Sequence, residues 1–531
     1  MKTRHSRVLL CFLASTLFAV ATAQVSVTTS KNDSARTGQN IEETILTPDN
    51  VHVRSFGRLF SHAVDGYVYG QPLYMPSLRI NGSVHNVVFV VTEHDSVYAF
   101  DADSNKGINA GPLWHVSFID PAEGITTVPD DDVACMDIQP EIGITSTPVI
   151  DPDTNTIFVV AKTKENGEYQ QRLHALDILT GAEQPGSPVT ISASVWGTGE
   201  GSQNGVIRFN ALRQLQRAGL LLVNGNVVVA WGAHCDTEPY HGWVISYDET
   251  TLQQTGVWNS TPNGGMGGIW QSGTGLSSDS TSIFFATGNG TFDGRAARDY
   301  GSSVVKLSAP GSLPLQEHSF FTPYNQQQLA DGDVDLGSGG VLLLPDQGVG
   351  VPHRYLAVQV GKQGSIYLLD RTHMGHYDSG ENHVVQDLED AIGGMWATPS
   401  WWNNNVYFGG IDDYLRQYTF DTTTGLLSPV AASQSQTYFG YPGPTVSISA
   451  NGDSDAIAWV LQTDDNSMTD GATLHAYDAT NLATEFYNSA INNSRDNPGG
   501  AVKFSVPTIA NGKVYVPGAQ KLSVFGLLGD Q

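Results

Sequence analysis

The chain has 531 residues, with 26 Lys and Arg against 53 Asp and Glu, a formal charge of −27 and 40% apolar content. So acidic a surface argues against nucleic acid and anionic membranes as partners, since both need a basic face. Past residue 23 no uninterrupted apolar run reaches the roughly 18 residues that a membrane-spanning helix needs, so no membrane span is expected.

Lys2, Arg4 and Arg7, an apolar run over residues 8–20 and then Ala21-Thr22-Ala23 have the layout of a cleavable export signal. Residues 1–23 are therefore expected to be removed, leaving a secreted or periplasmic mature chain, residues 24–531. Cys11 lies within the apolar run and implies no lipid anchor. The mature chain keeps Cys135 and Cys235, and in an oxidising compartment two thiols within reach of each other form a disulfide. Asn32, Asn81, Asn259, Asn289 and Asn492 open glycosylation sequons, which matter only in a eukaryotic host.

From residue 70 onward one unit recurs: a first strand of small residues or proline, an apolar strand, then a strand reading roughly aromatic-x-Leu/Phe-Asp, often followed by Thr-Gly. GQPLY (70–74) with VYAFDADS (97–104) is the first copy, and STPVID (146–151) with LHALDILTG (173–181) the second. Five more follow at 219–251, 272–309, 336–375, 396–425 and 443–481. The period of two within VYAFDA and VKLSA is that of strands, and Asp-Thr-Gly suits a tight turn in which Asp caps and Gly takes positive φ. The last unit, VPTIANGKVYVPGAQKLSVFGLL (506–528), lacks an outer strand, while VRSFGRLFSHAV (53–64) stands unpaired ahead of the first. Pairing the two would close a ring and remove its open sheet edges. The expected fold is therefore all-β, an eight-bladed β-propeller closed by N- and C-terminal strands in a single domain over 24–531, with seven blades as the alternative.

Several non-repeated segments resemble the pyrroloquinoline-quinone (PQQ) dependent, or quinoprotein, alcohol dehydrogenases. NDSARTGQNIEETILTPDNV (32–51) is similar to that family's opening segment. GGMGGIWQSG (264–273) and IFFATGNGTFDGRAARD (283–299) resemble the stretch that places a tryptophan under the cofactor and an asparagine on its metal, here Trp270 and Asn289. GDVDLGSGGVLL (332–343) resembles the stretch with the catalytic-base aspartate; Asp333 matches it, and Asp335 matches the extra metal ligand of the lanthanide-using branch. GKQGSIYLLDR (361–371) is similar to the strand whose cation contacts the quinone, here Lys362. GAHCDTEPYHGWV (232–244) lies where the family has a metal-binding glutamate, a role for Asp236 or Glu238.

The resemblance implies PQQ and Ca²⁺ or a lanthanide as cofactors, and a small alcohol, polyol or sugar as substrate. The residue types suit that chemistry. A hydride-accepting quinone carbonyl needs a Lewis acid, the alcohol proton needs a carboxylate, and a hard cation is held by carboxylate and amide oxygens. The sequence departs from the family at ACMD (134–137), where Met136 replaces the second of two adjacent cysteines. It departs again at IQPEIG (138–143), where no arginine is present to bind the quinone and Glu141 would repel a tricarboxylate. Arg217 is the candidate substitute. No CxxCH occurs, so electrons would leave through a separate acceptor. Two readings from other classes remain: a non-catalytic propeller that binds extracellular glycan or protein, and a polysaccharide lyase working through Tyr240 and His241.

Overall fold

Alternation makes each repeat a four-stranded antiparallel sheet in the computed structural model, which describes residues 24–294, 298–311, 315–464 and 471–529; the expected export signal, residues 1–23, lies outside the described residues. The first blade runs Leu73–Ile80, Ser83–Thr92, Ser96–Asp101 and Trp114–Ser117, paired in that order. Successive side chains of its second strand point to opposite faces. Val87, Phe89 and Val91 pack with Ile150, Ile157 and Val159 of the second blade, whereas Val88 and Val90 pack with Tyr515, Leu522 and Val524 of the last. Every blade thus buries both faces against a neighbour. The expected turn follows the third strand of the second blade: Asp177 Oδ1 accepts the N–H groups of Leu179 and Thr180, and Gly181 takes φ +74°.

Eight blades form, with first strands at Leu73–Ile80, Val149–Asp151, Leu221–Val223, Ser277–Ser278, Leu342–Leu343, Ser400–Trp402, Thr445–Asn451 and Thr508–Ala510. The eighth is assembled from both ends of the chain. Lys513–Leu527 pairs with Thr508–Ala510 through its first residues and with Phe56–Tyr67 through its second half, so that Phe56 faces Leu527 and Ala63 faces Lys521. A two-stranded hairpin, Ser194–Trp196 with Val206–Arg208, forms a separate sheet that packs through Val195 and Ile207 against the core between the second and third blades.

Residues 27–40 bond to the first strand of every blade or its edge. Val27 exchanges backbone hydrogen bonds with Tyr74. The carbonyls of Thr28, Ser34, Ala35, Thr37 and Gly38 accept from Ile150, Ser278, Leu343, Trp401 and Ile448. Arg36 reaches the Leu220 and Leu276 carbonyls, and the Asn40 amide reaches Ile509. A segment this short touches all eight innermost strands only by lying in the central channel, so it plugs the ring. Lys31 and Arg36 are fully buried there, and Lys31 Nζ donates to Ser400 Oγ and the Val446 carbonyl at 2.6 and 2.7 Å.

Cys135, between the first and second blades, is joined to Cys235, within the third, by a disulfide with a Cα–Cα distance of 5.6 Å and a sequence separation of 100. A bridge closing a loop of that size is expected to stabilise the fold by about 2–4 kcal/mol. The Cys135→Ala/Cys235→Ala variant should unfold at correspondingly lower denaturant, and intact mass of unreduced protein beginning at residue 24 should show no free thiol. Two free thiols would refute the bridge. Among the described residues, no helix is long and apolar enough to cross a membrane.

Candidate functional site

In an antiparallel blade, the loops from second to third strand and the loops from one blade to the next emerge on the same face. Side chains from such loops around the ring line one cavity of about 340 Å³, among them Arg217, Asp236, Trp270, Asp333, Asp335 and Lys362. Segments remote in sequence meet because each blade contributes a loop at the same end.

At one part of the cavity Asp335 is buried and held on two sides: its Oδ1 accepts the backbone N–H of Asn289 at 2.7 Å, and its Oδ2 pairs with Lys362 Nζ at 2.7 Å. Asp333, whose side chain is 70% exposed, accepts from Asn289 Nδ2 at 2.8 Å and from Lys362 Nζ at 2.9 Å. The close packing explains the glycine in TGNG (287–290): a Cβ on Gly288 would lie 2.5 Å from Asp335 Oδ1 and 3.3 Å from Trp270 Nε1. Asn289 is buried, and its Oδ1 has no hydrogen-bond partner. A buried acceptor left without a partner is costly and marks a place for a ligand.

Desolvation pushes the Asp335 carboxyl above the ordinary range, with Lys362 opposing and Asp236 adding to the rise. Asp236 is exposed as a residue, yet its carboxyl is crowded by protein; burial, Asp333 and Glu238 push it up, while the Tyr240 hydroxyl, donating at 2.5 Å, opposes. For Lys362 burial favours the neutral amine, but Asp335 and Asp333 override it and hold the ammonium above its usual range.

Elsewhere in the cavity Arg217 is buried with its guanidinium 4.8 Å from the Tyr69 ring and 4.9 Å from the Phe504 ring. Its Nη2 has no hydrogen-bond partner. Burial opposes ionisation of nearby Asp137, but Arg217 and Lys503 outweigh it and hold that carboxyl below its ordinary range.

Of the two acids in the 232–244 segment, the structure places Asp236 in the cavity wall and leaves Glu238 exposed outside it. The expectation that Glu141 would face a bound anion is corrected: Glu141 is tied to His94 and Thr127 and does not line the cavity. Tyr240 and His241 do not act as a pair. The Tyr240 hydroxyl is spent on Asp236 and its ionisation strongly opposed by burial, while both His241 ring nitrogens are engaged, with Thr261 and the Glu200 carbonyl. Sequence reasoning missed Asp137, Trp396, Tyr441 and Phe504, which complete the wall. Each lies in a blade-to-blade loop, so its place in the repeat was the signal that could have found it. Cys235 also lines the cavity. Among the described residues no group of three or more His, Cys, Asp and Glu side chains is arranged to hold a metal by itself.

No protein-family model matches the chain, and no curated protein matches it. Among solved structures it is similar to quinohemoprotein alcohol dehydrogenase ADHIIG from Pseudomonas putida HK5, with a TM-score of 0.61 and 14% identity over 96% of this chain and 81% of that one. Quinohemoprotein alcohol dehydrogenase from Comamonas testosteroni gives 0.59 and 15%, over 96% and 82%. BamB from Moraxella catarrhalis gives 0.50 and 12%, over 89% and 99%. At such identities the likeness is one of fold.

Proposed function

We propose that the chain is a secreted or periplasmic PQQ-dependent, metal-assisted dehydrogenase of alcohols, polyols or sugars. The observation that carries this reading is Arg217: a buried guanidinium with an unmet N–H, in the same cavity as Trp270 and the Asp335–Lys362 pair. A buried cation with spare donors suits a polycarboxylate, and Trp270 supplies an aromatic surface for a flat ring system. The solved structures of similar fold that are named as quinohemoprotein alcohol dehydrogenases support the same reading.

The residues fit a hard cation in part. Asn289 Oδ1 and the Asp236 carboxylate are oxygen donors of the right class, and the unpartnered state of Oδ1 favours an ion there. The side chains alone make no complete ligand set among the described residues. The chemistry gained from the bound groups is hydride acceptance at a carbonyl polarised by the cation.

The protein's own part is to hold and deprotonate the alcohol. Asp335 is the better placed of the two aspartates to take the hydroxyl proton, because it is buried, fixed from two sides and raised in basicity. Asp333, largely exposed, orients Lys362 and the Asn289 amide. These assignments differ from those the resemblance implies, in which Asp333 is the base and Asp335 a metal ligand. Lys362 would stay charged and face the cofactor, and electrons would pass on to a separate acceptor.

The test is retention of the cofactor. After incubation with PQQ and Ca²⁺ or a lanthanide, and gel filtration, quinone absorbance should co-elute with wild-type protein and be lost from Arg217→Met. If the wild type retains no quinone with either metal, the reading fails.

A further inference from the structure

A second concave site lies on the outside of the propeller and shares no lining residue with the cavity: a groove of about 640 Å³ between the hairpin at 194–208 and the outer strands of the third and fourth blades. Trp196 is 82% exposed at its rim. Exposed apolar surface rimmed by polar groups marks a binding site more often than a lone exposed side chain does. The indole does not hang free of structure, since Trp196 is paired with Val206 in the hairpin and the next residue, Gly197, donates to the Gly205 carbonyl at 3.0 Å. Trp258, half-buried and anchored against Phe285 and Tyr300 with ring centroids 5.4 and 5.8 Å away, contributes a second indole to the wall.

The polar groups of the groove point to the class of ligand. Asn259, 6% exposed, is among its lining residues, and its amide Nδ2 is buried without a hydrogen-bond partner. Thr198 and Asn263 add an exposed hydroxyl and amide, 3.4 Å apart. Amides and hydroxyls both donate and accept, which matches a ligand that presents hydroxyl groups of either sense. One cation, Arg298, and one acid, Glu317, leave the groove without net charge, which disfavours an ionic polymer. An open aromatic platform, a second indole and neutral bifunctional hydrogen-bonding groups in one concave surface fit the apolar C–H face and hydroxyl rim of a pyranose ring.

We propose that this groove binds a neutral saccharide chain, holding the protein on a glycan independently of any reaction in the cavity. The experiment uses the full mature chain with neutral gluco-, manno- and xylo-hexasaccharides, read by tryptophan fluorescence and calorimetry. At least one should bind the wild type. Trp196→Ala should weaken that binding about tenfold or more, as loss of a stacked indole predicts, and Trp196→Tyr should keep it within about threefold. Quinone retention and any metal-dependent shift in melting should be unchanged in both variants, which separates this site from the cavity. Failure of all three saccharides to bind, or equal binding by Trp196→Ala, overturns the proposal. So does a result in which the saccharides do not bind and Trp196→Ala instead weakens association with a protein electron acceptor, which would make the groove a protein-docking face.

Discussion

Asp335→Asn is expected to lower alcohol turnover by the PQQ-reconstituted protein about 10²–10⁴-fold, the range typical of losing a positioned general base, whereas Asp333→Asn should cost less than about tenfold. The asymmetry follows from placement. Asp335 is buried, with one oxygen on the Asn289 backbone and the other on Lys362, and desolvation raises its affinity for a proton. Asp333 is open to solvent on 70% of its side chain. The amide introduced by Asp335→Asn would preserve shape while removing the charge, leaving the Lys362 ammonium with Asp333 alone. Quinone absorbance of each variant separates lost chemistry from lost binding. Equal losses in the two variants, or a larger loss in Asp333→Asn, would show that the roles follow the family resemblance instead. Chelator should lower the melting temperature of wild type in the presence of PQQ, and Ca²⁺ or a lanthanide should restore it by mass action.

Removing the channel plug is expected to damage the whole ring. Arg36→Ala should cost at least about 1–3 kcal/mol, the range for leaving a buried acceptor without its donor, and deletion of residues 24–40 should abolish cooperative folding. Arg36 ties the third blade to the fourth through the Leu220 and Leu276 carbonyls, while its Nη1 donates to Thr29 Oγ1 and the Ser30 carbonyl. Burial pushes its pKa down to about 10, with Asp33 opposing the fall. Lys31 behaves similarly, pushed down to about 7 from 10.5. With the folded value below the unfolded one, the unfolded chain takes up the proton first. Stability is therefore lost as pH falls from about 10.5 to about 7, and Lys31→Met should flatten that slope. Urea unfolding of each variant at several pH values is the measurement. A plug deletion that still unfolds in one transition near the wild-type midpoint would show that the blades close without it.

The architecture was legible in the linear chain. The strand period, the Asp-Thr-Gly turns and the incomplete final unit required a ring, and the unpaired segment at 53–64 named its closing strand, which the structure places at Phe56–Tyr67. A repeat is legible because each copy restates the same local rules of alternation and turn chemistry. Resemblance of short segments also singled out Trp270, Asn289, Asp335 and Lys362, which do meet at one cavity or its wall.

Other features arise only in three dimensions. Cys135 and Cys235 are the only pair the mature chain offers, but that they meet depends on the distance between loops of different blades, which the linear order does not hold. Glu141 and Arg217 are both charged residues before a first strand, yet one is paired with His94 outside the cavity and the other is buried inside it with a free donor. Residues 27–40 look like an ordinary leader before the first blade; only the closed ring gives them a channel to fill. In each case the deciding quantity is desolvation or proximity across blades, which the ring creates and the linear order does not contain.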